Sequence, residues 1–188
     1  MGYDKNLKAD NELFEKIRFI SVGEEIILKP TLIEVFDQEA AMYLLNSKTA
    51  KVKKYLPSIH VETIEEAKKK LLSFSEKMLL RGSILYGIRQ RKMQAPMGYI
   101  HINTPLMSTG LNCWTVDFWL GENAQGNGLM TASLHYVLKY LQNYDVSEVK
   151  ALIHSDNTKS INVIERLGFG KIHQEEGGER RLLYGISL

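Results

Sequence analysis

Several classes are set aside by what this chain has little of. Of its 188 residues, one is a cysteine, Cys113. A lone cysteine cannot cross-link its own chain, so no disulfide framework is expected, and a reducing cytoplasm suits the sequence. Cys113 lies in an apolar stretch and reads as core packing rather than as a nucleophile. No run reaches the ~20 apolar residues needed to span a bilayer. The polar start, Met1 to Asp10, lacks the apolar segment of a signal peptide. Met1-Gly2 opens like a myristoylation signal, but Asn6 stands where that motif needs Ser or Thr. A cytoplasmic protein with no membrane partner is the expectation. Charge of one sign is scarce as well: 24 Lys and Arg stand against 22 Asp and Glu, a net +2. That balance gives no support to direct nucleic-acid binding. There are four prolines and no repeat, low-complexity tract or Pro/Gly-rich linker. The chain reads as a lead over 1–24 and one domain over 25–188.

What is present is an ordinary globular composition, 44% hydrophobic, in a chain long enough to bury a core. Asn11 to Lys16 reads as a short helix. Glu25 to Lys29 reads as a strand ended by Pro30. Ile33 to Asn46 has apolar residues at helical spacing. Thr63 to Arg81 is a clearer helix, with Thr63 and Glu66 spaced as a capping box and Gly82 placed to end it. Ile64, Ala67, Leu71, Phe74 and Met78 share one face, and the Lys68-Lys69-Lys70 run reads as solvated surface. The next three segments are β-rich, Ser83 to Arg89, Met97 to Asn103 and Asn112 to Leu120, and read as an antiparallel meander. In the third, Trp114, Val116, Phe118 and Leu120 alternate with Cys113, Thr115, Asp117 and Trp119, one set per face. Gly128 to Gln142 reads as a helix, Glu148 to His154 as a buried strand, and Asn157 to Leu167 as a helix capped by Asp156 or Asn157 and stopped by Gly168. Phe169 to Leu188 reads as two strands around a turn at 175–179. The order β-α-α-β-β-β-α-β-α-β-β makes a mixed α/β layered domain.

The strongest chemical signal is strand, glycine loop, helix: Phe118-Trp119-Leu120, then Gln125-Gly126-Asn127-Gly128, then the helix that Leu129 and Met130 open. Glycines let a backbone approach a ligand closely. Loop amides and the free N–H groups of a helix start form an anion site that suits a pyrophosphate. The spacing is neither a dinucleotide fingerprint nor a P-loop, which needs a lysine. A structural turn explains two glycines equally well. The loop gains force from a second motif about thirty residues downstream: Asp156-Asn157-Thr158-Lys159-Ser160 opens the next helix, and Leu167-Gly168-Phe169 closes it.

Together these motifs resemble the GNAT superfamily of N-acetyltransferases, whose cofactor loop reads Gln/Arg-x-x-Gly-x-Gly/Ala. Here it reads Gln125-Gly126-Asn127-Gly128-Leu129-Met130, and Met130 departs from the pattern. The chain is most similar to the branch that acetylates the N-termini of ribosomal proteins. That branch shows a Tyr-Trp-Leu-like strand end (Phe118-Trp119-Leu120), Asp-Asn-x-x-Ser with a later Gly-Phe (Asp156 to Ser160, then Gly168-Phe169), and a start like Leu-Arg-Pro (Leu28-Lys29-Pro30). The likeness is specific over about Trp114 to Phe169, looser from Ile26 onward, and does not cover the first ~25 residues.

The resemblance implies a GNAT-like fold in which two central strands, ending at Leu120 and Ser155, splay around acetyl-coenzyme A. It implies that Phe118, Trp119 and Leu120 hold the pantetheine arm as an added strand would, that the loop from Gln125 to Met130 holds the pyrophosphate, and that Asn157 and Ser160 complete the cofactor site. Ser160 is the implied proton donor to the departing thiolate; the tyrosine that many relatives carry four residues later is Ile164 here. The branch's glutamate falls at Thr115, which is no base. Asp117, on the same face, is the candidate in its place; His154, His101 and water are alternatives. No metal is implied. The expected partners are acetyl-coenzyme A and an amine, either a protein N-terminus or a small molecule, in a monomer or a homodimer. Loss of the glutamate leaves a non-catalytic acyl-coenzyme A-binding module as the rival reading.

Overall fold

A computed structural model of the chain describes residues 13–16, 19–31, 37–93, 95–107, 113–174 and 180–188. The elements run β1 (Ile20–Val22), β2 (Ile26–Pro30), α1 (Asp37–Ser47), α2 (Ala50–Tyr55), α3 (Ile64–Leu79), β3 (Ser83–Gln90), β4 (Gly98–Asn103), β5 (Trp114–Leu120), a 3₁₀ turn (Glu122–Ala124), α4 (Leu129–Gln142), β6 (Glu148–His154), α5 (Thr158–Arg166), β7 (Gly170–Gln174) and β8 (Arg181–Ser187). The eight strands form one sheet in the order β1-β2-β3-β4-β5-β6-β8-β7. β3, β4 and β5 are the expected antiparallel meander. β6 joins β5 in parallel, and its other edge carries the antiparallel β8.

Both faces of this sheet are covered, so alternate residues of one strand enter different cores. Trp114 and Val116 of β5 join Ile84, Tyr86, Ile88, Ile100 and Ile102 beneath α4, whose Met130, Leu134, Val137, Leu138 and Leu141 point down at helical spacing. Trp119 of β5, with Leu85 and Tyr99, faces the opposite way into a core closed by Ala40, Tyr43, Val52, Ala67, Leu71 and Phe74 of α1, α2 and α3. The two-faced reading of β5 holds.

Several local readings need correction. β2 runs one residue beyond Lys29, with Pro30 as its last residue, opposite Tyr86. β1 reaches only as far as Leu28, so Pro30 has a neighbour on one side alone and its missing N–H is tolerated. Glu66 does not close the capping box on Thr63. The Thr63 hydroxyl accepts from the Glu66 N–H at 3.2 Å, but the Glu66 carboxylate accepts from the Glu62 N–H, at 2.7 Å, one residue upstream of the cap. At the other end of α3, the left-handed residue is Arg81, φ 56°, and Gly82 follows it, donating its N–H to Lys77 O at 2.8 Å. Three short elements carry no clear sequence signal, β1, the six-residue α2 and the 3₁₀ turn; α2 is capped by Thr49, whose hydroxyl accepts from the Val52 N–H at 3.1 Å. The first helix covers Asp37–Ser47, and residues 33–36 lie outside the described ones. So do residues 11 and 12 of the expected short N-terminal helix, residue 112 of the third strand and the turn at 175–179; residues 13–15 are helical.

α1 is pinned to the sheet by a charge pair. Arg89 Nη2 of β3 lies 2.6 and 2.7 Å from the two carboxylate oxygens of Glu39, with side-chain exposures of 7% and 18%. Removing one member leaves the other charged and poorly hydrated, whereas removing both leaves neither. Glu39→Gln should therefore cost about 3 kcal/mol in urea denaturation, and the double variant Glu39→Leu with Arg89→Met should recover most of it.

Candidate active site

The site begins where the ladder between β5 and β6 stops. The two strands pair at Trp114 with Val149 and at Thr115 with Lys150. Beyond that, β5 keeps β4 as a partner as far as Leu120, and β6 keeps β8 as far as His154. The halves of the sheet thus part, and the facing edges of both strands lose their ladder. A cleft of about 320 Å³ occupies the gap. Its walls come from both faces of the sheet. Phe118, Leu120, Leu129 and Met130 belong to the α4 side, and Val52, Leu56 and Trp119 to the α1–α3 side. The cleft is a slot between the parted strands, lined by residues of both layers.

At one end is the glycine loop. Gly126 and Gly128 both have positive φ, 95° and 71°, values that disfavour other residues. A Cβ built on either would meet no atom within 4 Å, so the glycines are there for backbone shape and leave the space in front of the loop clear. Gly128 is the N-cap of α4, and no side chain caps that helix. Its first-turn N–H groups have no helical acceptor and carry the positive end of the helix dipole. Gln125 ties the loop down: its Nε2 donates to Leu120 O at 3.1 Å, and its Oε1 accepts from Lys159 Nζ at 3.4 Å.

Among the described residues, Lys159 is one of three cations lining the slot, with Lys51 and Arg166, and no Asp or Glu lines it. In a chain of nearly balanced charge that local bias favours an anionic ligand. On α5, Lys159, Asn162, Val163 and Arg166 recur at i, i+3, i+4 and i+7 and turn one stripe toward the slot. Asn157 caps this helix, its Oδ1 accepting the Ser160 N–H at 3.4 Å. That leaves the Ser160 side chain half-buried in the first turn, on the slot wall. Ile164, at the tyrosine position of many relatives, is fully buried in the core.

Most of the residues singled out in the sequence meet here: Phe118, Trp119, Leu120, Gln125, Gly126, Gly128, Leu129, Met130, Asn157 and Ser160 all line the slot. Asn127 and Asp117 are not among the lining residues. Asn127 is exposed at the loop tip. Asp117 is on the α1–α3 side, its Oδ2 3.4 Å from Asn103 Nδ2 and 3.5 Å from His101 Nδ1. His154 is spent otherwise: its Nδ1 accepts from the Asp156 N–H at 3.2 Å, and its ring lies 5.5 Å from that of Tyr55.

Sequence reading gave no role to the wall made by α2, where Thr49, Lys51, Val52, Tyr55 and Leu56 face the slot. The end of α2 is fastened across the gap to the turn after β6. Lys54 Nζ lies 3.3 Å from Asp156 Oδ2, and Tyr55 OH donates to Asp156 O at 3.4 Å. The carboxylate raises the pKa of Lys54, and the ammonium holds that of Asp156 below its usual range. A six-residue helix carries too little periodicity to be read; the i, i+3, i+4, i+7 spacing of the α5 stripe is the signal that could have found Lys159, Asn162, Val163 and Arg166, which the sequence reading did not assign to the site.

The sequence profile of the acetyltransferase (GNAT) domain matches residues 27–170, which takes in the slot, the loop and α5. The chain belongs to the GNAT acetyltransferase family. Its fold is similar to that of the RimL ribosomal L7/L12 α-N-protein acetyltransferase in its apo form, with a TM-score of 0.74 at 18% identity over 91% of this chain and 94% of that one. RimL in complex with coenzyme A gives 0.72 at 20% identity, covering 91% and 98%. An acetyltransferase from Salmonella typhimurium, described as modifying the N-terminal serine of ribosomal protein L7/L12, gives 0.71 at 20%, covering 91% and 99%. No curated protein sequence matches the chain significantly. This GNAT chain is thus an acetyltransferase, its sheet parts between β5 and β6, and no described helix is long and apolar enough to cross a membrane.

The loop's part in this is open to a direct test. Gly128→Arg places a long side chain in the cleared space and forces a non-glycine residue to φ 71°, at about 1–2 kcal/mol. The variant should stay folded in a thermal melt and show no acetyl-coenzyme A binding in calorimetry; unchanged affinity would remove the loop from the site.

Proposed function

We propose that this acetyltransferase takes its acetyl group from acetyl-coenzyme A and passes it to a primary amine, with a protein N-terminus as the acceptor class. The observation that carries this reading is the slot itself: a cleft between the parted strands with an uncapped helix start, two cleared glycines and three cations, and no acid among the described residues that line it. A nucleotide diphosphate fits the loop and the first turn of α4, with Lys159 beside it. The unpaired edge of β5 from Val116 to Leu120 suits an amide-bearing pantetheine chain, which can bond there as a strand would. The bound donor supplies an activated thioester. On the α1–α3 side the slot is walled by α2, and this is the side from which the amine approaches. The N-terminal acceptor class is supported by the motif likeness to the ribosomal branch, and a small-molecule amine is the outcome that would replace it.

The chain's own residues have two tasks. One is to take a proton from the acceptor ammonium so that its lone pair can attack the acetyl carbon; Asp117, on the acceptor side, is the residue for this, directly or through a water. The other is to stabilise the thiolate as the carbon–sulfur bond breaks. Ser160 suits that task, with its hydroxyl on the slot wall in a helical first turn. No covalent acyl-enzyme is needed. Cys113 is buried, and burial raises its thiol pKa, which makes it a poor nucleophile.

Two outcomes test this. Amines and N-terminal peptides offered with acetyl-coenzyme A should give amide products by mass spectrometry, with free thiol released in step; ester as the main product would overturn the reading. Ser160→Ala should lower kcat by about 10- to 1000-fold and leave acetyl-coenzyme A affinity near that of the parent, since its hydrogen bond matters most when the thiolate forms. Turnover equal to the parent would reduce Ser160 to a helix-start residue.

A further inference from the structure

Asp117 has a neighbour that the acetyl-transfer steps above do not use. His101 lies directly opposite it across the β4–β5 ladder, with Nδ1 3.5 Å from Asp117 Oδ2. The histidine is 5% exposed, and neither ring nitrogen has a hydrogen-bond partner. Its ring packs edge-on against Phe74 of α3, centroids 4.7 Å apart. Leaving a buried polar atom unpaired costs about 1–3 kcal/mol, and an apolar side chain in this place would avoid that cost. The distance is also informative. A formed N–H···O bond is shorter, about 2.7–3.2 Å. A neutral imidazole with its proton on Nε2 presents the Nδ1 lone pair to the carboxylate. The two groups stand 3.5 Å apart, near enough for a small movement to bring them into hydrogen-bond contact.

The pair's position is equally specific. β5–β6 pairing ends at Thr115, so Asp117 is the first residue on its face beyond the parting of the strands. Trp119, two residues on along the same face, lines the slot. Asp117 is one-third exposed, so it can meet an acceptor or a water; His101, behind it, cannot. A carboxyl group alone is a poor resting place for a proton taken from an ammonium. The ordinary values are about 3.9 for Asp, about 6.5 for His and about 7.7–8.0 for a chain N-terminus. Imidazole is much the closer match.

We propose that Asp117 and His101 form a proton relay for the acceptor amine, with His101 as the terminal base. Asp117 takes a proton from the bound ammonium, which frees the nitrogen lone pair, and His101 Nδ1 takes it on from Asp117; the nitrogen–carbon bond then forms, the carbon–sulfur bond breaks, and the second nitrogen proton goes to the departing thiolate. The transfer leaves an imidazolium beside a carboxylate, closing the long contact into an ion pair, and the proton later returns through Asp117 to solvent. Asn103 steadies the Asp117 carboxylate meanwhile, at 3.4 Å. Among the described residues, the other groups around His101 are Leu85, paired with it on β3, Phe74 on α3, and Lys77, whose ammonium lies 5.8 Å from the same Phe74 ring.

This relay rests on the amine-acetylation reading, and the experiment separates the two. It measures kcat/KM from about pH 6 to about pH 10 with an N-terminal peptide acceptor for the parent, His101→Gln, His101→Phe and Asp117→Asn. Thermal melts and acetyl-coenzyme A affinity are taken for each. His101→Phe keeps a ring against Phe74 without a base, and Asp117→Asn tests the relay at a partly exposed position should both histidine variants fail to fold. We expect about a 10- to 100-fold loss near pH 7 in each folded variant, shrinking toward none above the acceptor's own pKa, where the amine arrives neutral. Cofactor affinity should stay unchanged. A loss that is the same at every pH would mark packing rather than proton transfer and overturn the relay, as would parental rates near pH 7. A parent that acetylates no amine would instead sink the amine reading, and the relay with it.

Discussion

Everything functional in this fold depends on a ladder that ends early. β5 and β6 share two residue pairs and then separate, while each remains fully bonded to its outer neighbour. A sheet does not usually give up backbone hydrogen bonds in its centre, because an unpaired buried N–H or C=O is costly. Here the loss is tolerable because the freed edge borders a cavity that can hold a polar chain. The outer strands and the helices on both faces keep the two halves from closing the gap.

The parting also explains the division of chemistry between layers. β5 has one face in each core, so its odd and even residues serve different ends of the slot. The α4 layer brings the glycine loop, the uncapped helix start and the cations of α5. The α1–α3 layer brings Trp119, the α2 wall and the Asp117–His101 pair. The cations that line the slot come from both layers, Lys159 and Arg166 on α5 and Lys51 on α2.

α2 ties this arrangement together. It packs in the core of the N-terminal layer through Val52, yet its last two residues bond Asp156, at the start of the C-terminal half. Those bonds are exposed, and each is worth little alone. Their importance is geometric: they span the open end of the gap, more than 100 residues apart in sequence.

The sequence alone carried the elements with strong periodicity or caps. The meander, the two faces of β5, α4, β6 and α5 were legible because alternation and helical spacing over six or more residues report burial directly. The glycine loop and Asn157–Ser160 were legible as local motifs, since their work is done by backbone shape and a helix start, which neighbouring residues dictate. The tertiary structure decided what depends on partners distant in the chain. Which residue of Arg81-Gly82 turns left-handed, that Glu66 reaches Glu62, and that Ala50–Tyr55 forms a helix against the slot all follow from packing. So does the meeting of His101 with Asp117: each is an ordinary polar residue in its own strand, and the β4–β5 register puts them opposite one another at the point where the sheet opens.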